Sequence, residues 1–276
     1  MNGADALRQI DEWPVEHAAA AIVGPEGVRA RAGASEHEFR LASISKVMSA
    51  YATLLLVEAG RLHLDDPVDP PGATVRHLLS HAAGYGFEHD AGVLAKPETR
   101  RIYSNRGFDV LGAHVERIVG QPFAEVLAES VFDPLDMKRT ALFGSPAAGV
   151  RGPLVDVERF AAELLRPTLL SADLFREMIR PAFPDLAGVL PGFGRFTPLP
   201  WGLGVEIKGS KSPHWSGEVT SPRTFGHFGG SGTFLWVDPE RALALVALAD
   251  RDFGDWSKGA WPRRSDAVVA ACERPR

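Results

Sequence analysis

Strand-like runs crowd the two ends of this chain and helical runs fill the space between them, and that order restricts the fold more than any other feature. Ala18 to Val23 is a short apolar run closed by the turn signal Gly24-Pro25-Glu26-Gly27, and Val28 to Ala32 follows as its hairpin partner. Strand character then lapses until Gly204 to Lys208, Thr224 to Phe228, Thr233 to Val237 and Ala242 to Ala249. Asp238-Pro239-Glu240-Arg241 supplies a turn between the last two. In the middle, proline and glycine divide the chain into helical pieces: Ser43 to Ala59, Val75 to Ser80, Asn105 to Val119, Phe123 to Val131, Val155 to Leu165 and Ala172 to Ile179. Asp266 to Cys272 reads as a closing helix. One antiparallel sheet assembled from both termini, flanked by helices and carrying an inserted helical part, accommodates this order in an α+β fold. The expectation is a single domain, 1–276, with its α/β part at about 1–60 plus 201–276 and its helical subdomain at about 61–200.

At 276 residues and 45% hydrophobic, the chain can bury a full core. A net charge of −5 offers no basic field for nucleic acid. The single cysteine, Cys272, excludes an intramolecular disulfide. Met1 to Val15 holds three acids, one base and no apolar core of the kind a secretory signal needs. No segment approaches the ~18 apolar residues of a membrane span. These features lead to the expectation of a cytoplasmic, monomeric protein without membrane or nucleic-acid partners.

The chemistry concentrates at the start of the first long helical piece. In Ser43-Ile44-Ser45-Lys46 a hydroxyl and an amine three positions apart share one side of a helix. Serine is a poor nucleophile until a base takes its proton, and a desolvated lysine can do so. The small and apolar neighbours Leu41-Ala42 and Val47-Met48-Ser49-Ala50 predict a half-buried amine. Tyr103 adds a phenol with an ordinary pKa of ~10, which a protonated lysine nearby would pull toward phenolate. Asn105 carries both a donor and an acceptor, suited to holding Lys46 or a substrate carbonyl. Gly229 and Gly230 let a strand edge approach closely. Two other patterns lead nowhere. His77 and His81 have metal-ligand spacing but no third ligand, and Gly226 to Gly232 precedes a strand where a phosphate loop would open a helix. No metal or cofactor is expected.

Taken in order, Ser43-x-x-Lys46, Tyr103-Ser104-Asn105 and His227-Phe228-Gly229 resemble the serine penicillin-recognising superfamily, in the branch of class C β-lactamases, D-alanyl-D-alanine carboxypeptidases and related esterases. Intervening text agrees: Phe39-Arg40-Leu41-Ala42, Gly60-Arg61-Leu62-His63-Leu64-Asp65-Asp66-Pro67, Arg76-His77-Leu78-Leu79-Ser80-His81 and Trp201-Gly202-Leu203-Gly204. The resemblance implies a β-lactamase/transpeptidase-like fold with the serine in a cleft between its two parts. It implies Ser43 as nucleophile, Lys46 and Tyr103 as proton handlers, and the N–H groups of Ser43 and Gly230 as an oxyanion hole. Asn105, His227 and Gly229 join Gly230 as substrate-contacting positions.

The third motif departs from its relatives in a way that bears on substrate. Where they offer a cationic residue plus a threonine hydroxyl to a substrate carboxylate, this chain has His227 followed by Phe228, which donates nothing. Losing one charge-assisted bond costs about 1.5–3 kcal/mol, tenfold to over a hundredfold in affinity. The expectation is therefore a carboxylesterase acting on small neutral esters or amides. β-Lactamase or D-alanyl-D-alanine carboxypeptidase activity is the alternative, and a non-catalytic binding protein is the reading from another class. Phe228, Trp201 and Phe196 are candidate walls of an acyl pocket.

Overall fold

The computed structural model describes residues 3–273, so the outermost residues of the expected domain lie outside it. Six strands form the central sheet: β1 (Ala18–Gly24), β2 (Gly27–Gly33), β3 (Glu206–Ile207), β4 (Phe225–Gly229), β5 (Thr233–Asp238) and β6 (Leu243–Ala249). Their order is β3-β4-β5-β6-β1-β2, with every neighbouring pair antiparallel. The two ends of the chain therefore meet where β1 pairs with β6, Ala20 opposite Ala247. The turn before β6 is built by Asp238, whose Oδ1 accepts from the N–H groups of Glu240 at 3.1 Å and Arg241 at 3.3 Å.

The described residues form eight α-helices: α1 (Gly3–Arg8), α2 (Ile44–Glu58), α3 (Val75–Leu79), α4 (Asn105–Val119), α5 (Phe123–Leu127), α6 (Leu154–Leu165), α7 (Ala172–Met178) and α8 (Asp255–Glu273). Side chains alternate along each strand, so the central strands feed two cores. Ala19, Ala21, Leu235, Val237, Val246 and Leu248 face the core shared with α2 and α6. Ala20, Ile22, Phe234, Trp236, Leu245 and Ala247 face the one shared with α1 and α8. Burial on both faces explains why these strands read as continuous apolar runs. Helix α6 lies directly on β1 and β6, although its sequence position falls within the middle third. No described helix is long and apolar enough to cross a membrane.

Local departures from the sequence reading have identifiable causes. The closing helix begins at Asp255 rather than Asp266, because burial of Trp261 and Arg264 holds the turns around Gly259 and Pro262 in helical form. The helix from Phe123 ends as α at Leu127 and continues as a π turn through Phe132. The expected strand from Gly204 to Lys208 contracts to Glu206–Ile207. Gly204 is instead a packing position: at φ +83° a Cβ there would stand 2.1 Å from that of Ala50 on α2.

Candidate active site

The turn that delivers Ser43 is pinned to the sheet from several sides. Leu41 N–H donates to the Val150 carbonyl at 2.9 Å, and Thr233 Oγ1 on β5 donates to the Leu41 carbonyl at 3.0 Å. Ser231 Oγ donates to the Arg40 carbonyl. Ala42 then takes φ +46°, a left-handed conformation unfavourable for alanine and held here by those bonds. Ser43 follows at the N-cap of α2, leaving its N–H at the unpaired end of the helix. Gly229 is required by the same packing. A Cβ there would lie 2.5 Å from the Leu41 carbonyl oxygen and 2.3 Å from Thr233 Oγ1. Its close approach is thus to the nucleophile's turn rather than to a substrate, whereas Gly230 faces open space.

Around Ser43 the three motifs converge. Tyr103 donates its hydroxyl hydrogen bond to Ser43 Oγ at 2.7 Å, and Lys46 Nζ lies 3.2 Å from the same oxygen. Lys46 also donates to Asn105 Oδ1 at 2.6 Å and to the Ala147 carbonyl at 2.9 Å. Asn105 opens α4, whose N-cap Ser104 accepts from Gly107 N–H at 2.9 Å. Two residues before Tyr103 stands Arg101. That buried guanidinium donates to the carbonyls of Leu199 at 2.8 Å, Ala182 at 2.7 Å and Phe183 at 2.9 Å, and also to that of Ser80.

Burial decides the protonation of this group. Lys46 is fully buried rather than half-buried, and desolvation brings its amine down to about 7, partly opposed by the charge of Asp109. Tyr103 moves the other way from the sequence expectation: burial raises its phenol above the ordinary range, against the smaller lowering effect of the Ser43 hydrogen bond. A phenolate is disfavoured because burial strips the charged form of its solvation. His227 sits on β4 with Nδ1 2.6 Å from the Phe228 carbonyl, so Nδ1 carries the hydrogen. Burial and the nearby Lys46 push His227 down to about 3, which keeps the imidazole neutral across the physiological range.

Ser43, Tyr103, Trp201, His227 and Gly230 line a chamber of about 140 Å³, closed otherwise by Phe87, Leu190, Pro191, Phe228, Phe253 and the buried carboxylate Glu206, which pairs with Lys211 at 2.7 Å. Phe196 is not among its walls. Phe87, Tyr103 and Pro191 also form one side of an adjoining outer groove of about 380 Å³ that runs past Val189, Arg100 and Arg195. Phe87 and Phe253 carry no motif signal, and the Ala147 carbonyl is a backbone group that any residue would offer. Phe228 is largely buried while it lines the chamber. Its ring packs 5.0 Å from Phe253, 5.8 Å from Trp215 and 5.8 Å from Trp261. Phe228→Ala is expected to cost about 3–5 kcal/mol by leaving a cavity in this cluster. Urea unfolding checks it, and a loss under 1 kcal/mol would contradict the packing role.

The remaining histidines do separate work. His77 accepts from Thr74 N–H at 3.0 Å and pairs with Glu98 at 2.9 Å, while His81 packs on Tyr103 at 4.7 Å and accepts from Ser104 N–H at 3.2 Å. They do not share a ligand position. Elsewhere His17, His37 and Asp250 have ligand atoms within 4.8 Å of one another. The two imidazoles stack 4.1 Å apart and 8° from parallel, so their in-plane lone pairs do not converge.

Known proteins resemble this chain in sequence and fold. The model of the beta-lactamase family matches residues 15–270. The solved structure of a beta-lactamase (Mb2281c) from Mycobacterium bovis superposes with a TM-score of 0.95 at 49% identity, covering 98% of this chain and 100% of that one. Penicillin-binding protein 4* of Bacillus subtilis is 28% identical over 137 residues, 38% of this chain and 30% of its own length. Esterase EstB of Burkholderia gladioli is 32% identical over 145 residues, 36% of this chain and 37% of its own length. The chain thus spans about a third of the length of these two curated relatives. With the fold, the order of its motifs and the family match in agreement, the chain belongs to the beta-lactamase family and is a serine hydrolase.

Proposed function

We propose that the protein is a carboxylesterase that forms an acyl-enzyme on Ser43 with small, uncharged acyl groups. The observation that carries this reading is the chamber itself: walls mostly aromatic or aliphatic, and a neutral His227 where a carboxylate-binding relative needs a cation. The charge that holds a β-lactam or peptide carboxylate is missing from this strand. The occurrence of an esterase among the relatives agrees with it.

In this mechanism neutral Lys46 gives its two N–H hydrogens to Asn105 Oδ1 and the Ala147 carbonyl. Its lone pair then faces Ser43 Oγ at general-base distance. As Oγ attacks the ester carbonyl its proton passes to Nζ. The N–H groups of Ser43 and Gly230 receive the oxyanion. Tyr103 protonates the departing alkoxide and recovers a proton from the lysine ammonium. Water then attacks the acyl-enzyme, the same groups carry its proton, and Ser43 is released with the acid.

A fluorophosphonate adduct mapped by peptide mass spectrometry is expected on Ser43, and kcat/KM for nitrophenyl butyrate is expected to exceed that for a cephalosporin. An adduct on Ser45 or Ser231 would overturn the nucleophile. A cephalosporin hydrolysed faster than the ester would replace the esterase reading with β-lactamase activity.

A further inference from the structure

The base needs its lone pair aimed at Ser43, and nothing in the lysine itself fixes that direction. The Nζ can rotate about its terminal bond, so its acceptors decide where the lone pair points. One acceptor, Asn105, is built into the first turn of α4. The other is the carbonyl of Ala147, in a stretch without regular structure between the short strand pieces Ala141–Leu142 and Val150–Gly152. That segment needs its own anchor.

Asp109 lies one helical turn after Asn105, on the same face of α4. Its Oδ1 accepts the hydroxyl of Ser145. Ser145 Oγ in turn accepts from the Ala147 N–H at 3.0 Å, and Ser49 on α2 donates to the Pro146 carbonyl at 2.8 Å. The segment 145–147 is thus clamped between α4 and α2, with the Ala147 carbonyl turned onto Lys46. We propose that Asp109 is a positioning residue for the reaction, fixing the direction of the Lys46 amine through Ser145 and the Ala147 carbonyl. This inference rests on the reading of Lys46 as the base.

The same carboxylate acts on the amine through its charge. Around Lys46 stand Tyr103, His81 and His227, all kept neutral by burial, and Asp109, whose negative charge favours the ammonium. The other oxygen of Asp109 faces His89 Nδ1 at 2.6 Å, and Arg106 lines the same surface groove. Removing the charge should therefore make Lys46 easier to deprotonate, and the enzyme should stay active to lower pH.

Three variants separate direction from charge: Asp109→Asn keeps an oxygen acceptor, Asp109→Ala removes acceptor and charge, and Ser145→Ala cuts the chain but leaves the charge. Each is assayed for kcat, KM and the pH dependence of kcat/KM on a small ester, with melting temperature as the check on folding. Asp109→Ala and Ser145→Ala are expected to lose about tenfold in kcat through misdirection of the base, with KM within about twofold of wild type. Both Asp109 variants should move the acid limb down by about half a pH unit, and Ser145→Ala should leave it in place. Should Asp109→Ala fail to fold, the other two variants still decide. Wild-type kcat in Ser145→Ala would overturn the hydrogen-bonded route even if the limb moved. An unmoved limb in Asp109→Asn with wild-type kcat in Asp109→Ala would overturn the whole inference. A Lys46→Met enzyme that kept the wild-type acid limb would instead sink the base reading itself, whatever the Asp109 variants did.

Discussion

Replacing Lys46 by methionine is expected to leave a folded protein that hydrolyses small esters about 10²–10⁴-fold more slowly, the usual worth of a general base. Methionine keeps most of the buried volume and removes the amine, so Asn105 Oδ1 and the Ala147 carbonyl lose their donor. That costs about 1–3 kcal/mol per unsatisfied group, a shift visible in melting temperature but short of unfolding. The pH dependence carries the sharper test. Only neutral lysine can accept the Ser43 proton, so activity should fall as pH drops through about 7, the value to which burial brings Lys46. An unburied lysine would put the same limb near 10.4. His227, at about 3, adds no second inflection in the physiological range. A limb near pH 10, or full activity in Lys46→Met, would remove the lysine from the proton path.

Much of this site could be read in the sequence because its chemistry is carried by side chains at fixed local spacing. Ser43 and Lys46 lie one turn apart on a helix whose start is marked, and Asn105 and Tyr103 flank the N-cap Ser104. The strands were legible for a similar reason, since a short apolar run bounded by turn residues needs no knowledge of distant partners. What the sequence hid depends on long-range contact. The Ala147 carbonyl meets Lys46 across 101 positions and Ser145 meets Asp109 across 36. A carbonyl has no residue identity to recognise, and a serine in a loop resembles any other. The state of Tyr103 is hidden from the sequence for a related reason. Its pull toward phenolate assumed a charged lysine beside it, and burial, which no motif records, weakens that charge and raises the phenol. Phe228 walls the chamber as its motif position suggests, but the packing of its ring in the aromatic cluster with Trp261 and Phe253 rests on contacts no motif records.

The raised phenol gives Tyr103 a role distinct from that of Lys46, and Tyr103→Phe should expose it. A hydroxyl that stays protonated and already donates to Ser43 Oγ at 2.7 Å is placed to hand its proton to the oxygen that leaves the tetrahedral intermediate. Alkoxides depart poorly without that proton, whereas nitrophenolate departs readily as an anion. The variant should therefore lose about 10²–10⁴-fold in kcat on an ethyl or methyl ester and far less on the matching nitrophenyl ester. Removing the hydroxyl also leaves Ser43 Oγ without its donor, but that affects both substrates equally and cancels in the ratio of their kcat/KM values. Packing should survive, because the ring contacts with His81 and Trp201 remain in phenylalanine. An unchanged melting temperature with equal losses on both esters would make Tyr103 a partner in activating Ser43, as a base is, and return it to the role its motif suggests. A loss confined to the alkyl ester separates the two proton transfers, with Lys46 serving the attack and Tyr103 the departure.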